Sequence, residues 1–175
     1  LLSCVHGLAY RQATGDIWVT NGGCGGASIV TFLRDGGSTL GNPTYSNAGA
    51  STFTTSAQLA HAENLSFDSG GNLWVTTWPG GQIRKYPLVA GSISETATQF
   101  ITAVSSPGAI DFDAAGNMYV GETTETTEFS GKLWKFANLG TVGSPDISTT
   151  PVQLQNGVDP TALTFISGQL WATSL

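Results

Sequence analysis

The sequence predicts an all-β fold, a β-propeller of four-stranded antiparallel blades. Three observations predict it. One pattern recurs four times along the chain, each copy alternates or stays apolar over strand lengths, and no segment sustains a helical period. In the pattern an aliphatic-x-aromatic triplet precedes a short polar turn with Gly and then an aliphatic-aromatic-small triplet. The first triplets are Leu8-Ala9-Tyr10, Leu65-Ser66-Phe67, Ile110-Asp111-Phe112 and Leu163-Thr164-Phe165. The second are Ile17-Trp18-Val19, Leu73-Trp74-Val75, Met118-Tyr119-Val120 and Leu170-Trp171-Ala172.

Each unit reads as a hairpin. Leu65 and Phe67 alternate with Ser66 and Asp68, the period of a half-buried strand. Asp68-Ser69-Gly70-Gly71-Asn72 supplies a turn, with Gly for positive φ. Leu73-Trp74-Val75 is continuously apolar, as in a strand buried on both faces. A third strand follows at Ser28 to Phe32, Gln82 to Tyr86 and Lys132 to Phe136. A fourth is expected at Thr98 to Ile101 and Pro151 to Leu154, and somewhere within Ala50 to Thr55 in the first unit. Gly36 to Ala50, rich in Gly, Asn, Ser and Thr, reads as the largest loop insertion.

Leu8, Leu65, Ile110 and Leu163 lie 57, 45 and 53 residues apart, the spacing of propeller blades with enlarged loops. The blades are expected over about 5–57, 62–104 and 107–156, with half a blade at 160–175. Three and a half blades cannot close a ring. The chain, which begins at Leu1 rather than Met, is therefore read as part of a ring of about six. Its blade faces would otherwise expose apolar surface, so the remaining blades of the parent propeller are expected as a partner.

Six Lys and Arg stand against twelve Asp and Glu, a net charge of −6. That balance argues against nucleic acid and anionic membranes, which require a basic footprint. No apolar run has the length of a membrane-spanning helix. Two cysteines, Cys4 and Cys24, are too few for a disulfide scaffold. If Arg11 pairs with Asp16 and the register continues, Cys4 falls opposite Gly23 and beside Cys24. A bridge between the two is then expected, in an oxidising, extracellular or periplasmic compartment.

The stretches Asn64 to Val75 and Ala109 to Val120 resemble NHL repeats. They are also similar to blades of the gluconolactonase-like and virginiamycin B lyase-like six-bladed propellers. Phe136 to Leu154 resembles the connector of NHL-like proteins of secreting bacteria. The resemblance implies a secreted propeller that binds a protein, peptide or glycan ligand through its loop face. The alternative it implies is a metal-dependent lactonase or lyase, since fold does not decide function.

In those families the site lies where loops enter the first strands and leave the second. Here His6 and Glu63 occupy one repeat slot, two before the aligned aliphatic residue, and His61 stands two before Glu63. His6, His61 and Glu63 are the candidate acid–base groups. Glu63 and Glu122 are candidate ligands of a divalent cation, calcium or zinc. The competing reading makes them solvated loop residues. Glu122 stands where the lactonases carry Asp at the end of a second strand, but their Asn-Gly pair before a first strand is absent. Glu122, Glu125 and Glu128 crowd one loop without the alternating Asp/Asn spacing of a calcium loop. Asn21, Trp78, Glu122 and Asp159 are the candidate ligand-binding residues, with Trp78 expected to offer a stacking face. Trp18, Trp74, Tyr119 and Trp171 read as packing between blades.

Overall fold

The computed structural model describes residues 4–22, 29–35, 45–54, 59, 61–78, 81–124, 130–140 and 147–174. Among them every regular element is a β-strand. The first sheet holds β1 (Val5–Arg11), β2 (Asp16–Asn21), β3 (Ile29–Asp35) and β4 (Tyr45–Thr54) in that order. The second holds β5 (Ala62–Phe67), β6 (Leu73–Thr77), β7 (Gln82–Tyr86) and β10 (Gln99–Ile101), with a small hairpin of β8 (Leu88–Val89) and β9 (Ser92–Ile93) before its outer strand. The third holds β11 (Pro107–Phe112), β12 (Met118–Glu122), β13 (Lys132–Phe136) and β14 (Val152–Asn156); β15 (Pro160–Ile166) and β16 (Gln169–Ser174) form a two-stranded sheet. These are the blades of a β-propeller, all antiparallel, in the order the repeat predicts.

Two elements depart from expectation. β4 begins at Tyr45, inside the segment read as a loop. Its sequence carries no apolar alternation, and it is held by backbone pairing with β3 across two register shifts. Pairing of that kind leaves no side-chain signature. The β8–β9 hairpin turns through Ala90 (φ 48°) and Gly91 (φ 85°), the two positive φ values of a type I′ turn. It delivers Ile93 to the core between the first two blades.

The core lies between blades. Trp18, Phe53, Leu65, Leu73, Val75 and Tyr86 fill the first seam, and Trp74, Ile83, Ile110, Met118, Val120 and Phe136 the second. One aromatic pair repeats along the seams. Trp18 meets Phe67 edge-on at 5.8 Å, Trp74 meets Phe112 at 6.0 Å, and Tyr119 meets Phe165 edge-on at 4.9 Å. In each, a second-strand ring packs on the inner-strand ring of the next blade, a geometry worth roughly 0.5–1.5 kcal/mol beyond the area it buries. Trp171 departs from the expected packing. It is 57% exposed, because no described blade lies against its face.

The polar turns of the second and third blades match each other. Asp68 accepts hydrogen bonds from Gly70 N, Asn72 N, Asn72 Nδ2 and Trp74 Nε1. Asp113 accepts the matching bonds from Asn117 and Tyr119. The Asp-x-x-Gly-Asn-x-Trp/Tyr spacing therefore closes the hairpin and fixes the ring that enters the next seam.

Candidate functional site

The expected register of the first hairpin holds from Arg11–Asp16 to Leu8–Val19 and then shifts, so that Val5 faces Asn21. Cys4 lies beyond this shift and is disulfide-bonded; Gly23, expected opposite it, and Cys24, the chain's other cysteine, lie outside the described residues. The same shift recurs between Ala62 and Leu65, between Pro107 and Ile110, and between Pro160 and Ala162. It is a β-bulge at one repeat slot, which bends the strand and re-aims the extra side chain. His6 and Glu63 are the bulge residues of the first two blades.

Thr20 and Thr76 accommodate these bulges. Gly7 N donates to Thr20 Oγ1 at 2.6 Å, and the Thr20 hydroxyl donates to Glu63 O on the next blade at 2.9 Å. Asn64 N and Gly108 O make the same contacts with Thr76, at 3.0 and 2.6 Å. In the third blade the slot is Gly121, where a methyl would stand 2.7 Å from Pro160 O. Blades three and four meet there by close approach instead of through a hydroxyl.

Neighbouring bulges bring His6 and Glu63 together. His6 Nδ1 lies 2.8 Å from Glu63 Oε2, with the side chains 42% and 24% exposed. A methyl on Gly22 would stand 3.2 Å from both His6 Cδ2 and Ala62 O, so glycine leaves room for the imidazole there. With Nδ1 held by a carboxylate, Nε2 remains for a ligand or a proton. Beside this pair, His61 (φ 55°) and Trp78 stand on the same rim. Their rings meet edge-on at 6.2 Å, and Trp78 N donates to His61 O at 2.9 Å. Trp78 is half-buried.

The other candidates turn inward. Asn21 is buried and accepts a hydrogen bond from Cys4 N at 2.9 Å. Asp159 is buried and accepts from Thr124 N and Gly131 N, both at 3.1 Å. Glu122 is buried, accepting from Ser105 Oγ at 2.5 Å and Trp134 Nε1 at 2.8 Å, with Lys132 Nζ at 3.5 Å. Its carboxylate is occupied by these donors. Among the described residues no group of three or more His, Cys, Asp or Glu is placed to hold a metal ion. Pro79, Glu125 and Glu128 lie outside the described residues.

Burial pushes the Glu122 carboxyl up, but the Ser105 and Trp134 hydrogen bonds and the Lys132 charge outweigh it and hold it below the ordinary value of 4.5. Burial likewise raises Asp113, and the bonds from Asn117, Tyr119 and Ala115 outweigh it, leaving Asp113 below 3.8. Groups depressed on folding contribute stability that is complete above those ordinary values and is lost as pH falls through the lower folded ones. Thermal midpoints measured from pH 6 downward are expected to hold until about pH 5 and then fall. Glu122→Gln should flatten part of that fall. An unchanged acid slope in the variant would contradict this account.

Below the rim the four inner strands line a groove of about 290 Å³. Asp111, which the sequence analysis did not single out, is one of its lining residues. Its Oδ1 accepts from Ser66 Oγ at 2.9 Å and its Oδ2 from Phe165 N at 3.0 Å, so it ties three blades together across the groove. The available signal was the slot itself, which holds Ala9, Ser66 and Thr164 in the other blades.

No protein-family model and no curated protein matches the chain. Solved structures do, at identities that speak for the fold. The nidogen/laminin complex is 20% identical with a TM-score of 0.65, over 97% of this chain and 56% of that one. Virginiamycin B lyase from Staphylococcus aureus is 16% identical with a TM-score of 0.60, over 98% and 49%. A 6-phosphogluconolactonase-like protein from Bacteroides uniformis is 14% identical with a TM-score of 0.60, over 97% and 53%. The chain thus spans about half the length of these propellers.

Proposed function

We propose that the chain is the ligand-binding arc of a secreted propeller, taking a peptide, glycan or protein loop across its rim. One observation carries this reading: adjacent bulges place the hydrogen-bonding pair His6–Glu63 on the same rim as the aromatic pair His61–Trp78. Directed polar groups beside an aromatic wall suit a sugar face or an extended peptide. The similarity to a propeller solved in a complex with laminin is in keeping with protein binding, and the bonded state of Cys4 with an extracellular or periplasmic location. The channel is completed by further blades, whichever chain supplies them.

The test is a glycan array and a peptide array probed with the wild-type chain, followed by titration of whatever is retained. Trp78→Ala is expected to weaken binding roughly 10- to 30-fold, the ~2 kcal/mol of an aromatic anchor. Glu63→Gln is expected to weaken it as well. Retention that neither substitution alters would remove the rim from consideration.

The His6–Glu63 contact also favours a second reading, lyase or lactonase chemistry in which Glu63 fixes the imidazole and His6 Nε2 moves the proton. Hydrolysis of gluconolactone or lyase cleavage of virginiamycin B, each lost in His6→Ala, would bring that reading forward.

A further inference from the structure

We infer that the group recognised at the rim is a primary ammonium, the lysine side chain of a peptide or protein loop, held by the His6–Glu63 pair with its stem along Trp78. The inference rests on the reading of the rim as a ligand site and narrows that site to one chemistry.

The His6–Glu63 pair is only half used. His6 Nδ1 lies 2.8 Å from Glu63 Oε2. A carboxylate only accepts, so Nδ1 carries the proton, and the neutral ring leaves Nε2 as an acceptor. Among the described residues none donates to Nε2 or to Glu63 Oε1. Nε2 borders the space kept by Gly22, where a methyl would stand 3.3 Å from it. Glu63 is left open on its other side by the third blade. Bulge side chains of the first two blades reach each other, whereas the bulge residue of the third is Gly108, which has no side chain to reach back. Thr20 Oγ1 fixes the Glu63 backbone by donating to Glu63 O at 2.9 Å. The pair thus presents two acceptors on a held backbone.

Charge and geometry choose the ligand. With a neutral imidazole the pair keeps the full charge of the carboxylate, in a chain of net charge −6. No Lys or Arg occurs between Val5 and Ala9 or between His61 and Trp78, and Lys132, at the matching end of the third blade, stands 3.5 Å from Glu122. Such a site attracts a cation. A guanidinium binds a carboxylate best with its fork across both oxygens, and Oε2 is already taken by His6. An ammonium is a compact charge with three donors, so it can use Oε1 alone and give a second proton to Nε2. Trp78 follows Thr77, the strand partner of Ala62, and so stands at the same hairpin end as Glu63. An aromatic ring there covers the methylene stem of a lysine and attracts its charge. A sugar hydroxyl would use the acceptors and leave the charge unanswered.

The test uses the full chain on a peptide array with blocked N-termini, printed in duplicate with the lysines of one copy acetylated, and on the glycan array. Retention is expected on lysine-bearing peptides, with loss on their acetylated copies and weakening as salt is raised. Titrated with a retained peptide, Glu63→Gln should bind roughly 10-fold more weakly, the ~1.5 kcal/mol of a hydrogen bond to a charged group. Retention that survives acetylation overturns the inference. So does retention of arginine peptides as strong as that of lysine peptides, or of neutral glycans alone. In each of these cases a loss on Trp78→Ala would leave the rim reading standing. Retention that neither Trp78→Ala nor Glu63→Gln alters would remove the rim reading and the inference together.

Discussion

Asp68→Ala is expected to destabilise the protein by about 4 kcal/mol and to lower its thermal midpoint by roughly 10 °C. Asp68 is 5% exposed, and its two oxygens serve the backbone of Gly70 and Asn72, the Asn72 amide and the Trp74 indole. Truncation removes the acceptor and leaves Asn72 and Trp74, 4% and 0% exposed, with donors turned into a space that water does not readily reach. A buried donor left without an acceptor costs about 1–3 kcal/mol, and hydrogen bonds to a charged group stand at the upper end of their range. The loss is also relayed. Trp74 belongs to the seam between the second and third blades, and Asn72 Oδ1 accepts from Leu88 N at the start of the small hairpin. Asp113→Ala removes the equivalent group from the next blade, where Asn117 and Tyr119 are less buried, and should cost about half as much. Denaturant titration of both variants decides the matter. A loss below about 1 kcal/mol for Asp68→Ala would show that the turn closes without its carboxylate.

These two carboxylates also show what was legible beforehand. The Asp-x-x-Gly-Asn-x-Trp/Tyr spacing is local in the chain, so the hairpins, their register near the turn and the aromatic seams could all be read from the repeat. What lay beyond reading depends on contacts between blades. The bulges at His6 and Glu63 are a two-against-one count across a pair of strands, and the apolar pattern on either side of them is undisturbed. The residues they re-aim therefore met without any sequence sign of a contact, although sharing a slot made them candidates. Asn21, Glu122 and Asp159 stand at positions that open onto a rim in an isolated hairpin. In the folded chain they turn back to satisfy backbone and indole N–H groups, because a buried N–H without an acceptor is costlier than a polar side chain drawn in from solvent. Trp78 shows the converse. Its place outside the repeat suggested exposure, and His61, across the same loop base, half covers it.

The knot around Asp159 leads to the other large effect, on replacing Gly131 with Ala. Gly131 is buried just before β13, and a methyl there would overlap Glu122 O, Val158 O and Asp159 Oδ1 at once. Two of these are backbone atoms and the third is held by Thr124 N and by Gly131 N itself, so no flexible side chain can yield. Gly157 N and Val158 N both donate to Gly131 O, at 3.1 and 3.3 Å. The strand end of the third blade and the segment leading into β15 are therefore locked through this one residue. Forcing a methyl into such packing is expected to cost about 3 kcal/mol. Its effect should concentrate where the lock is lost, as faster amide exchange in the β15–β16 hairpin at conditions that leave the first two blades protected. Gly140→Ala provides the contrast. Nothing lies within 4 Å of a methyl there, and its φ of 73° alone should limit the loss to about 1 kcal/mol. Equal losses for the two glycines would mean that the blade junction relaxes freely and that Asp159 is not pinned. The carboxylate would then be available at the rim, returning Asp159 to the ligand-binding set. A larger loss for Gly131→Ala, with exchange confined to the last hairpin, would mark Asp159 as the fastening between the third and fourth blades and leave ligand contact to His6, Glu63, His61 and Trp78.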